Sequence, residues 1–220
     1  MEMGTEGFSQ PQEALYRQAN ILALITIFYN ILEGVFSVWF GFDDETFSLF
    51  GFGLDSFVEV ISGMGVWHML QRIRRAGEGD PDRFERQALQ VTGMAFYLLT
   101  AGLIITGIMN IIQGHKPETT FWGIIISAIS IIAMWALMHY KVKVGKELHS
   151  EAILADASCT KTCLYLSIVL LLASVGYELT GIGGIDAAGA IIIAAFSFYE
   201  GREAFERAAG QSCSCSECQE

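Results

Sequence analysis

A chain of 220 residues in which 52% are hydrophobic and only 17% charged is too apolar for an ordinary soluble domain, where charged residues make up about a quarter. With a positive mean hydropathy, it belongs in a bilayer, and six spans of roughly 20 residues each would leave no room for a sizeable soluble domain. The net charge of −11 argues against nucleic acid as a partner.

The stretch Met1 to Glu13 lacks the basic-then-apolar pattern of a secretory signal, so the first hydrophobic segment is expected to be retained as a span. Span one is predicted from about Asn20 to Gly41, followed by the acidic turn Asp43, Asp44 and Glu45, and span two from about Thr46 to Leu70. The linker Gln71 to Gln87, with Arg72, Arg74, Arg75, Arg83 and Arg86 around a Gly-Glu-Gly-Asp-Pro turn, is expected to end span two. Span three is predicted from about Ala88 to Ile112, and a loop through His115, Lys116 and Pro117 leads to span four, about Thr120 to Tyr140. The polar junction with Lys141, Lys143 and Lys146 precedes span five, about Glu151 to Tyr177, and a glycine-rich turn at 181–184 opens span six, about Ile185 to Phe205.

This map yields an all-α, polytopic membrane protein with a short segment at 1–16, a six-helix domain at 17–208 and a cysteine-containing tail at 209–220. Basic residues test it, because cytoplasmic loops are enriched in Lys and Arg. Arg17, the five linker arginines, the three lysines after span four, and Arg202 and Arg207 fall on one side, eleven of the thirteen Lys and Arg. Lys116 falls on the other and Lys161 lies inside span five. Both termini are therefore expected in the cytoplasm, in a plasma or inner membrane, with an organellar membrane as the alternative.

Ionisable groups at membrane depth are costly and default to functional-site candidates. Asp55 and Glu59 stand at i and i+4 in span two, on one helix face with Cβ atoms roughly 5–6 Å apart. Cys159 and Cys163 repeat the spacing in span five. Two such pairs can close a tetrahedral site of two oxygens and two sulfurs between the helices. Buried cysteines also pack as small hydrophobes. A redox pair is disfavoured, because the catalytic dithiol spacing is Cys-x-x-Cys. Asp156, three residues before Cys159, reads as an extra ligand, a hydrogen-bond acceptor behind the ligands or an entrance charge. Lys161 is expected to pair with Glu33 or Asp186, or to snorkel to the interface. Asn30 is a further buried polar group of span one. The histidines His68, His115, His139 and His149 fall near span ends, and none is assigned as a ligand. Cys213, Cys215 and Cys218 of the tail are dense enough to hold a thiophilic ion but fix no geometry.

The stretch from Ser48 through Asp55 to Glu59 resembles the second transmembrane helix of the cation diffusion facilitator family, and Ala155 through Cys159 to Cys163 resembles its fifth. Gly184-Ile-Asp186-Ala-Ala-Gly-Ala-Ile, with the Glu-Gly-Arg-Glu-Ala sequence at its end, is similar to the sixth. The resemblance implies a homodimer that exports zinc or a related ion in exchange for protons. By position, Asp55 and Glu59 match the family's second-helix metal ligands, and Cys159 and Cys163 match positions usually held by His and Asp. That departure moves the expected cargo toward zinc, cadmium or another thiophilic ion. The cytoplasmic domain that normally follows the sixth helix has no counterpart among the last residues, so the likeness is to the family's short forms.

Independently of the family, two carboxylates and two thiolates carry four negative charges, of which a divalent cation neutralises half in a low-dielectric site. A metal-free site is therefore expected to hold protons that metal binding releases, which supports metal-proton antiport. The expectation is a transporter and not an enzyme. The alternatives are a membrane metal sensor or structural protein that holds an ion without moving it and, behind that, a thiol redox enzyme.

Overall fold

The computed structural model describes residues 10–76, 81–113, 120–182 and 184–209. The loop from His115 to Glu118 and the tail with Cys213, Cys215 and Cys218 lie outside the described residues. Six helices follow one another: α1 (Gln10–Asp43), α2 (Phe47–Ala76), α3 (Pro81–Gln113), α4 (Phe121–Leu148), α5 (Glu151–Thr180) and α6 (Gly184–Ala208). The shortest, α6, has 25 residues, about 37 Å at 1.5 Å per residue, which exceeds a hydrocarbon core of about 30 Å. Five helices carry an apolar stretch long enough to cross a membrane, and the described apolar stretch of α3, Leu89–Ile105, is shorter. This is a multi-pass integral membrane protein, all-helical among the described residues.

Burial is distributed as a bilayer requires. Phe28, Trp39, Phe42, Leu98, Ile132, Leu172 and Leu179 project from the bundle, while Thr26, Asn30, Ser37, Ser56, Ser127, Ser130, Ser167 and Ser197 are fully enclosed. Lipid is as apolar as leucine, so hydrophobic burial does not drive the helices together; small residues and interhelical hydrogen bonds do. At the α1–α2 contact a Cβ on Gly53 would lie 2.8 Å from the Ser37 Cβ and from the Val38 nitrogen, so only glycine permits this approach. α2 is the central element, packing on α1, α3, α5 and α6, and α5 packs on α2, α4 and α6.

Two tight connections set the registers. Between α1 and α2, the Asp44 N–H donates to the Phe40 carbonyl and the Thr46 N–H to that of Gly41, and Glu45 takes a positive φ of 54°. Between α4 and α5, His149 adopts the left-handed conformation and its N–H caps the end of α4, while the Ser150 hydroxyl accepts from the Ile153 N–H at the start of α5. These are the usual devices for stopping one helix and starting the next, and they bring the first three turns of α5 beside the end of α4.

The structure differs from the sequence reading in three places. The membrane-crossing stretch of α2, Phe47–Arg72, matches span two, but the helix does not stop there: α2 runs on to Ala76 and α3 begins at Pro81, so much of the arginine-rich linker is helical. Lys141, expected at a solvated junction, is 1% exposed and paired inside the bundle with Asp156. Lys161 is not the partner of Glu33 or Asp186. Its ammonium lies 5.8 Å from the centre of the Tyr165 ring, one turn along the same helix. Glu33 instead accepts from Tyr29 and Ser56, and Asp186 accepts from the start of α2.

Candidate metal site

α2 and α5 are antiparallel neighbours, as the second and fifth members of an up-and-down series must be. An i, i+4 pair on each then meets its counterpart in reversed order. The two pairs are buried on helices that pack together. All four side chains are enclosed, at 1% exposure for Asp55, 2% for Glu59, 6% for Cys159 and 0% for Cys163. Both cysteines are free thiols.

Neighbouring polar groups hold each end of this quartet. The Asn30 amide donates to Glu59 Oε2 at 2.7 Å and also to the Thr26 carbonyl of its own helix, so α1 fixes one Glu59 oxygen. Ser62 Oγ donates to Asp156 Oδ1 at 3.0 Å and lies 3.8 Å from the Cys159 sulfur. The other oxygens, Asp55 Oδ1 and Glu59 Oε1, are buried without a hydrogen-bond partner. An unsatisfied buried acceptor costs roughly 1–3 kcal/mol, more when charged, and two in one helix interface mark a place built for something other than packing. As they stand, no three His, Cys, Asp or Glu side chains among the described residues converge tightly enough to hold an ion together. The four predicted ligands stand as two i, i+4 pairs on two helices that pack together.

Three further residues were not read as parts of this region. Lys141 of α4 forms the buried ion pair with Asp156. Glu200 of α6 accepts from Thr162 Oγ1 at 2.5 Å and shares with Asp156 and Cys159 the lining of a narrow cavity of about 20 Å³ among α2, α3, α5 and α6, large enough for about one water molecule. Asn30, noted in the sequence as a buried polar group, acquires a partner in Glu59. The helical spacing that finds Asp55 with Glu59 carries no signal for contacts that come from other helices.

A profile of the cation efflux transmembrane domain matches residues 19–209. The chain belongs to the cation efflux family. Family membership makes it an integral membrane protein built on a cation efflux transmembrane domain. Two curated relatives are similar over most of the chain. One is an uncharacterised transporter of Methanocaldococcus jannaschii, 26% identical over 175 residues, 78% of this chain and 62% of the relative. The other is the manganese efflux system protein MneP of Bacillus subtilis, 24% identical over 164 residues, 70% of this chain and 54% of the relative. The chain thus spans between about half and three-fifths of the length of these family members.

Proposed function

We propose that this chain exports a thiophilic divalent cation, zinc or cadmium, bound between α2 and α5 by Asp55, Glu59, Cys159 and Cys163 and exchanged for protons. The observation that carries the reading is the placement of the two pairs on packed helices, with a buried, unpartnered oxygen left on each carboxylate. A divalent ion would take up those oxygens, and modest side-chain rotations would bring the sulfurs to it. Two thiolates select against hard ions such as manganese and magnesium, which prefer all-oxygen coordination. In this respect the chain is expected to differ from its relative named for manganese efflux.

Proton exchange follows from charge. Two carboxylates and two thiolates must be deprotonated to bind the metal, so loading releases protons and unloading takes them up. The ten clustered basic residues that remain once buried Lys141 is set aside support a cytoplasmic placement of both termini, and the family resemblance supports a homodimer. Reconstituted vesicles test the reading. Zinc or cadmium uptake that accelerates when the lumen is made acidic, so that protons leave as metal enters, is the expected result. Uptake indifferent to the gradient would remove proton coupling. Stoichiometric binding without flux would make the chain a metal-holding protein.

A further inference from the structure

We propose that Lys141 sets the metal selectivity of the α2–α5 site by keeping Asp156 from becoming a ligand; this deepens the function proposed above and rests on it. Asp156 stands three residues before Cys159 and therefore on nearly the same face of α5. Its carboxylate shares the lining of the narrow cavity with Cys159 and Glu200. It is a hard oxygen donor beside a soft sulfur.

Both of its oxygens are engaged. Oδ2 pairs with the Lys141 ammonium at 2.8 Å, and Oδ1 accepts from Ser62 at 3.0 Å. Lys141 is in turn committed to this place. It is 1% exposed, and it donates to Thr160 Oγ1 at 2.8 Å, whose hydroxyl donates back to the Asp156 carbonyl. A lysine near the end of a span ordinarily extends its charge toward the interface; this one turns inward, from a helix that supplies none of the four proposed ligands.

Stability is a weak reason for such a pair, because an apolar pair of similar volume serves as well or better, whereas loss of one partner strands a buried charge. What the pair does is cancel and hold the Asp156 charge. The ion then meets two oxygens and two sulfurs. Without the ammonium, Asp156 is released to turn toward Cys159 and adds an oxygen and a negative charge, the change that favours harder ions such as manganese.

The test measures zinc and manganese dissociation constants for the purified full chain and for Lys141→Met, Asp156→Asn and the double variant. Lys141→Met is expected to shift the affinity ratio toward manganese by about tenfold, the lower range for changes in groups that hold ligands. The double variant should restore the parent ratio, and Asp156→Asn alone should leave it unchanged. Equal losses for both ions in Lys141→Met, or an altered ratio in Asp156→Asn, would overturn the inference. Should Lys141→Met fail to accumulate, Lys141→Gln removes the charge while keeping a donor for Thr160, and is held to the same two outcomes. Failure of the underlying reading is seen separately, as zinc binding that persists in Cys159→Ser/Cys163→Ser with Lys141 intact.

Discussion

Asp186 and Asp55 are equally buried, each 1% exposed, yet their surroundings are opposite. Asp186, in the first turn of α6, accepts from the Phe47 N–H at 2.9 Å and the Ser48 N–H at 3.1 Å, and from the Ser48 hydroxyl. Those amides are among the donors that the start of a helix leaves without an internal partner, and the positive end of the α2 dipole favours the carboxylate further. Asp186 thus fastens the start of α6 to the start of α2. Asp55 keeps an oxygen with no partner. Burial is common to the two carboxylates; what separates them is that Asp186 is fully engaged by the start of α2 and Asp55 is not.

The largest effect that tests this contrast is expected at Asp55. Asp55→Asn should reduce transport of every divalent ion at least a hundredfold, the upper range for losses in a metal site, while thermal stability without metal stays level because asparagine keeps the size and neutrality of the protonated carboxyl. A fluorescence-detected melt beside vesicle flux checks both. Asp186→Ala should do the reverse, lowering stability by about 1–3 kcal/mol through the stranded α2 donors and leaving flux per folded molecule unchanged. If Asp186→Ala folds normally and loses transport, the contrast collapses.

A smaller effect is expected at Asn30. Asn30→Leu frees the Glu59 oxygen that the amide holds, and zinc affinity should fall about tenfold with the zinc-to-cadmium ratio unchanged, measured by competition with a chelating dye. The smallest is expected at the tail. Ending the chain after Ala209 removes Cys213, Cys215 and Cys218 but none of the proposed ligands, and flux should stay within about twofold of the parent, inside ordinary variation of a few tenths of a kcal/mol.

Much of this arrangement was legible in the sequence. Six apolar segments and their polar junctions gave the helix order, and the i, i+4 spacing of Asp55 with Glu59 and of Cys159 with Cys163 followed from 3.6 residues per turn. What the sequence could not supply was which helix answers a buried charge. Lys141 is the first of three lysines after an apolar run and reads as solvated, because nothing local reports that α4 turns that face toward α5. Asp186 finds its partners 138 and 139 residues away, and they are backbone and hydroxyl donors, not the cation that Lys161 offers in the sequence. In a chain with apolar residues on every helix face, periodicity that would separate inside from outside in water is faint, and polar contacts between helices are set by rotations that only the packed bundle reveals.

Cadmium binding to Cys159→Ser/Cys163→Ser, measured beside the parent, tests the ligand set most directly. Serine keeps the size and removes the soft donor. The parent should bind one cadmium per α2–α5 site, with sulfur-to-metal charge-transfer absorption appearing in proportion to the bound ion. In the double variant that absorption should vanish and cadmium and zinc affinity should fall together by at least about a hundredfold. A double variant that binds and carries both ions as the parent does would reduce the thiols to core packing and contradict the proposed site.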